Sequence, residues 1–402
     1  MIAAACSRAV NRALLHDPEF ARLRGAARST LASLLTASLG VPWALQHHQT
    51  ATLAVPAALF AMIAPLFLRE SRLSGWLVSL LILCGCACAA FAAAATVAAQ
   101  PMWRDAGSLL VVFVGMLCQS LGARAVGAAL LTLVAFYLGL YLHPVDARLA
   151  EMLTGMALAT LVVAFVGRVL IPVERVEAAS SRSRAAFVRG VPASVAAAKA
   201  RIALALRLAA DVLVTGRPSR RPLSELLAHR LHRLAWRPAL VATVAALLAM
   251  LAGSALSADR AMWAVISTFV VFLGTTSHQG TRARVMKRIA GTLTGAAASV
   301  LLIGLCGHEP WLLVAATALS VFGWAYYILH AYARGVFFIT MLVGLVYGQL
   351  GFAIVPLARL RIEEVLAGCV ISLVVAMLLM PSASAPERAR AGVTLHLNPR
   401  DP

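Results

Sequence analysis

The stretch 261–298, AMWAVISTFVVFLGTTSHQGTRARVMKRIAGTLTGAAA, holds the residues best able to act on a ligand. Trp263 opens an apolar run. Arg282, Arg284, Lys287 and Arg288 follow in a basic turn, and Gly291-Thr292-x-x-Gly295 opens the next run. Gly291 and Gly295 are four apart and share one helix face, so another helix can approach closely there. Gly291, Thr292 and Gly295 therefore read as a packing face. Arginines beside the free N–H groups of a helix N-terminus make an anion site, with Arg284 and Arg288 as its cations. The plainer alternative is cytoplasmic charge next to a packing face.

Three further groups could do chemistry. Trp324, Tyr326, Tyr327, His330 and Tyr332 close a later run beside Arg334. An interfacial aromatic belt explains them. The sharper reading is a vestibule for an aromatic carboxylate, with Tyr327 against the ring and Arg334 on the carboxylate. Glu151, Glu363 and Glu364 lie near the ends of apolar runs, and acids at membrane depth are costly and usually functional. Local ion pairs with Arg148 and Arg361 would satisfy them cheaply. Proton coupling or an outer gate at Glu151 and Glu364 is the alternative. His47-His48-Gln49 reads as a hydrated outer turn, with pH sensing as the other possibility.

No enzyme constellation is present: the sequence has no GxSxG elbow, no HExxH and no Walker loop. The chain is expected to be no enzyme and to need no cofactor. Cys84-x-Cys86-x-Cys88 fits no zinc spacing and points in different directions on a helix, so reduced thiols are expected and no metal. Without an ATP-binding motif, active transport must draw on an ion gradient or an external partner.

These residues need elements to hold them, and composition says which. The 402 residues are 61% hydrophobic and only 13% charged. A soluble domain carries about 25% charged residues. Too little polar surface remains for water, so lipid must cover the difference. The net charge of +19 would suggest nucleic acid in a soluble protein. Here cytoplasmic loops and anionic lipid account for it, and no nucleic acid is expected.

Apolar runs at roughly 28–46, 50–68, 74–99, 107–123, 125–142 and 150–171 form one set, and 238–257, 261–277, 289–307, 310–329, 335–353 and 364–380 form a second. The fold expected is all-α, a polytopic integral membrane protein of about 12 transmembrane helices. With both termini cytoplasmic, thirty of the 35 Lys and Arg fall inside and five outside, as the positive-inside rule requires. Residues 107–123 and 125–142 are nearly continuous around Arg124, which allows a tight hairpin or one long bent helix.

The two sets resemble each other. Arg148-x-x-Glu151-x-x-x-Gly155 recurs 213 residues later as Arg361-x-x-Glu364-x-x-x-Gly368, and LVVA at 161–164 recurs 212 later at 373–376. This predicts two tandem six-helix repeats, 28–171 and 238–381. A cytoplasmic segment at 1–27, a basic amphipathic cytoplasmic linker at 172–237 and a cytoplasmic tail at 382–402 complete the expected domains. An even helix count per half makes the repeat parallel, and transporters commonly place the substrate path between such halves.

The Trp263 run, the Arg284-x-x-x-Arg288-x-x-Gly291-Thr292-x-x-Gly295 pattern and the six-helix repeat together resemble the FUSC (fusaric acid resistance) and aromatic acid exporter family. The likeness is best over 240–380. In the first half Ser74-Gly75 stands where the signature would be. The resemblance implies an inner-membrane exporter of aromatic carboxylic acids. It also implies a periplasmic adaptor as a partner for some members. Longer members carry sizeable cytoplasmic domains where this chain has only its linker.

The reading that results is an exporter of small organic anions, driven by an ion gradient, in the bacterial inner membrane. Arg284 and Arg288 would attract the carboxylate, and Trp263 with the aromatics near Tyr327 and Arg334 would contact the ring. The lipid bilayer and an organic anion are the expected partners, with a periplasmic adaptor and a homo-oligomer as further ones. An organic-anion channel on the same scaffold and a non-transporting envelope-assembly protein are the alternatives.

Overall fold

The computed structural model describes residues 20–68, 70, 73–144, 146–171, 236–256, 262–275, 277–307 and 309–380. These residues are helical, with no strand among them. The first set of runs becomes α1 (Ala21–Gln46), α2 (Val55–Ile63), α3 (Leu73–Val97), α4 (Pro101–Cys118), α5 (Ala123–Leu142) and α6 (Asp146–Phe165). The second becomes α7 (Trp236–Leu256), α8 (Met262–Phe272), α9 (His278–Cys306), α10 (Pro310–Tyr327), α11 (Tyr332–Gln349) and α12 (Ile354–Leu379). The linker, the tail and nearly all of the N-terminal segment lie outside the described residues.

Eight of these helices are long and apolar enough to cross a membrane: α3, α4, α5, α6, α7, α9, α10 and α12. Their outward surfaces are apolar, with Leu81, Leu158, Leu161, Leu251, Leu301 and Leu378 all more than half exposed. Water would make such a surface aggregate; hydrocarbon would not. The protein is a multi-pass membrane protein.

The remaining helices differ from expectation for identifiable reasons. α8 has 11 residues, about 16 Å of helix against a hydrocarbon core of about 30 Å. α2 is nine residues between two 3₁₀ turns, Ala51–Ala54 and Ala64–Leu66. Pro65 in the second turn cannot continue an α-helix. So the runs at 50–68 and 261–277 do not form simple spans. α1 is long, but it carries Ser29, Thr30, Ser33 and Thr36 buried in the protein. The near-continuous stretch around Arg124 is a tight hairpin. A 3₁₀ turn at Gln119–Leu121 leads to Gly122 at φ +114°, a backbone that disfavours a side chain, and α5 folds back on α4.

The packing has a pattern. In the first half α1 packs on α2, α2 on α6, α3 on α5 and α6, α4 on α5, and α1 on α6. In the second half α7 packs on α8, α8 on α12, α9 on α11 and α12, α10 on α11, and α7 on α12. Adding six to each number of the first set gives the second. Between the halves α4 packs on α7 and α10 on α1, which is the same exchange made twice.

Candidate functional site

Two fully buried charged side chains stand out among the described residues: Arg288 at 8% exposure and Glu364 at 0%. Both belong to the second half. Burying charge in a membrane protein is costly and marks function more often than structure.

α9 positions Arg288. Its N-cap is Ser277, whose Oγ accepts from the Gly280 N–H at 3.3 Å. The helix therefore begins at His278, eleven residues before the expected 289. Arg282, Arg284, Lys287 and Arg288 lie inside the helix, not in a loop before it. The expected pairing of these cations with free N–H groups at the helix start is not formed. Arg288 instead turns into the bundle. Its Nη2 donates to Ser267 Oγ of α8 at 3.2 Å and its Nη1 to Tyr332 Oη at 3.5 Å. Arg284 sits over the Tyr332 ring, 4.4 Å from its centroid. Each arginine keeps a buried Nε with no hydrogen-bond acceptor among the described residues.

The packing residues hold α9 against α11. A Cβ on Gly291 would come within 2.5 Å of the Ala333 carbonyl oxygen, and one on Gly295 would meet that of Phe337. Thr292 is buried on the same stretch. No side chain fits at either glycine without separating the helices.

Trp263 finds a partner that the sequence reading did not assign to it. Arg361, two turns into α12, places its guanidinium 4.1 Å over the Trp263 ring. Its Nε and Nη1 are buried and have no hydrogen-bond acceptor among the described residues. Arg361 also lies within electrostatic range of Arg288, Tyr347 and Glu364. Arg361 stacks on Trp263 and keeps a charge interaction with Glu364, one turn deeper on the same helix. The exposed pair of that helix end is Arg359–Glu363, at 2.8 Å.

Arg361 and Trp263 line a narrow cleft between α8, α9, α11 and α12. Ser299, Thr340 and Tyr347 add hydroxyls to its wall. The cleft lies 8 to 11 residues beyond Arg288 along α9, at Ala296 and Ser299, which is about 12–17 Å. Arg284 and Arg288 at one level and Arg361 at another thus form a ladder of cations inside one helical bundle. The carboxyl of Glu364 is buried one turn from Arg361, so the ladder holds three guanidinium groups and one carboxyl.

The remaining expected residues lie elsewhere. Arg334 sits over Tyr327 at 5.4 Å, and Tyr327 stacks on Phe338 at 5.8 Å, at the turn between α10 and α11. That pair does not line the cleft. Glu151 accepts from Gln49 Nε2 at 2.8 Å, and Arg148, its expected partner, is exposed on the surface of α6. Arg361, Ser299, Thr340 and Tyr347 were not singled out as ligand contacts in the sequence. One signal was available for Arg361: Gly368, two turns on, presses against the Ala264 backbone and brings α12 beside the helix of Trp263. No group of three or more metal-ligating side chains occurs among the described residues.

Comparison with known proteins agrees with the family resemblance. Residues 244–375 match the family model described as fusaric acid resistance protein-like. That segment contains Trp263, Arg288, Tyr347, Arg361 and Glu364. The uncharacterized transporter YdhK of Escherichia coli K-12 is 30% identical over 173 residues, which is 40% of this chain and 25% of that protein. The same protein of Escherichia coli O157:H7 matches equally. The chain spans about a quarter of the length of these curated relatives. No solved structure matches.

Proposed function

We propose that this protein carries small organic anions, aromatic carboxylates above all, out across the bacterial inner membrane, and that it draws on an ion gradient. The observation that carries this reading is the pair Arg361 and Trp263: a buried guanidinium with two N–H positions unused, stacked on an indole, in the wall of a cleft. A carboxylate answers the first and an aromatic ring the second. Arg284 and Arg288 are the entry station and Arg361 the inner one. Glu364, next to Arg361 on α12, is the group placed to exchange a proton as the anion passes.

The chain is read as two six-helix repeats, 28–171 and 238–381, joined by the basic linker 172–237, with the segments 1–27 and 382–402 at the two ends. The recurrence of the six packed pairs named above in both halves supports this. So do the short second helices α2 and α8, which stand in corresponding positions, as broken helices do at transporter binding sites. The match to a family model described as fusaric acid resistance protein-like and to a protein named as a transporter supports transport. Both termini are placed in the cytoplasm by the positive-inside bias. The path proposed here lies inside the second half, not between the halves.

The test is efflux of radiolabelled aromatic and aliphatic acids from cells with and without the protein, and with and without an uncoupler. Export of one acid class that needs both the protein and the gradient supports the reading. Equal retention of every acid in both cell types contradicts it.

A further inference from the structure

The cleft of the second half has a counterpart. α2, α3, α5 and α6 line a narrower cleft. These are the first-half equivalents of α8, α9, α11 and α12. An offset of 209 residues carries Leu131, Val134, Ala135 and Leu138 of α5 onto Thr340, Val343, Gly344 and Tyr347 of α11, and Ala87 of α3 onto Ala296 of α9. At each position where the second half shows a hydroxyl, the first shows an aliphatic chain: Leu131 for Thr340, Leu138 for Tyr347. The first-half cleft is lined by apolar side chains alone.

The entry level differs in the same sense. The same offset places Ser79 where the second half has Arg288, and Arg124 beside the position of Tyr332. Ser79 donates to Glu70 Oε1 at 2.6 Å. Arg124 closes on the same oxygen through Nη2 at 2.6 Å and Nε at 3.0 Å. A carboxylate thus closes on Arg124 here, while Arg168, just past α6, lies over the Trp76 ring at 4.7 Å, one turn before Ser79 on α3. In the second half Arg284 and Arg288 hydrogen-bond no carboxylate among the described residues; their neighbours are Tyr332 and Ser267.

We infer that the two halves have parted roles: water and anions enter the second half alone, one path per chain, and the first half is a sealed copy that supports it. This rests on the anion reading above. The linings of the clefts decide it. An anion that passes Arg124 and Arg168 in the first half reaches apolar side chains alone, with nothing there to replace its hydration. In the second half the cleft itself offers the Arg361 guanidinium and the hydroxyls of Ser299, Thr340 and Tyr347.

Val134 and Val343 give a matched test, since each is half-buried, lines its own cleft and occupies the equivalent position. Val134→Cys and Val343→Cys are made in the full chain and held in membrane vesicles. Each is labelled with an anionic and a cationic methanethiosulfonate, with the unsubstituted chain giving the background of the native cysteines. The ratio of the two rates cancels any change in thiolate fraction caused by nearby arginines. Val343→Cys is expected to favour the anionic reagent by about tenfold or more, and Arg361→Gln to remove that preference. Val134→Cys is expected to stay at background with both reagents. Labelling of Val134→Cys with the same anionic preference overturns the inference and leaves the anion reading standing. An unreactive Val343→Cys, or one indifferent to reagent charge, overturns both.

Discussion

Arg361 and Trp263 come from helices that start far apart in sequence, yet the guanidinium lies 4.1 Å over the indole ring. α8 and α12 pack side by side, which sets the two at one level. The contact is worth about 2 kcal/mol when desolvated, less than the cost of burying the charge. A residue kept at a net cost to the fold points to a ligand that repays it.

Replacing Arg361 therefore separates stability from transport. Arg361→Met keeps the length of the side chain and removes the buried charge. Its thermal melting in detergent is expected to match or exceed that of the natural protein. Export is expected to fall by about 10- to 150-fold, the worth of charge-assisted hydrogen bonds of about 1.5–3 kcal/mol. A structural role would instead lower the melting temperature along with export.

Trp263 is predicted to act through its ring. Trp263→Phe is expected to keep most export and Trp263→Ala to raise the KM for aromatic acids by about tenfold, equivalent to about 1.4 kcal/mol. Aliphatic acids should respond much less to Trp263→Ala. Competition assays between an aromatic and an aliphatic acid read this difference directly.

Gly295→Leu drives a side chain into the Phe337 carbonyl on α11. Overpacking of this kind costs about 1–3 kcal/mol or more. The variant is expected to melt earlier in detergent and to express less. Leu293→Ala, on the exposed face of the same helix, is the control and should leave both unchanged.

The first-half ion pair predicts an acid sensitivity. Burial works against ionisation of Glu70, but hydrogen bonds from Ser79 and Arg124 and the Arg124 charge outweigh it and hold the carboxyl below its ordinary range. A carboxyl with a depressed folded pKa adds stability above its unfolded value, about 4.3, and loses it as pH falls through the folded value. Melting temperature should drop as pH falls below about 4.3 toward the lower folded value in the natural protein, and by less in Glu70→Gln. Export at neutral pH should be the same in both if the first half carries no anion.

Much of this was legible in the sequence. Apolar runs placed the helices, because a span must be long and uncharged. The recurrence of Arg-x-x-Glu-x-x-x-Gly pointed to matching halves, and the matching order of packed pairs supports that reading. Trp263, Arg284 and Arg288 were singled out in the sequence as ligand contacts, but their grouping in three dimensions was not visible. Proximity along the chain joined Trp263 to Arg284. In three dimensions Trp263 belongs with Arg361, and Arg284 with Tyr332. Tyr347 and Thr340 looked like ordinary residues of an apolar run, since single hydroxyls do not disturb hydropathy. The short α8 was read as a full span because its apolar run continues through Leu273 into a turn at Gly274, where φ is +79°. Hydropathy does not register where a helix stops.

The most direct measurement is uncoupler-sensitive efflux of a radiolabelled aromatic acid from cells expressing the natural protein, Arg361→Gln or Arg148→Gln at equal membrane levels. Arg148 is the repeat partner of Arg361 but lies exposed on α6. The account predicts export by the natural protein and by Arg148→Gln, and its loss in Arg361→Gln. Full export by Arg361→Gln would contradict it.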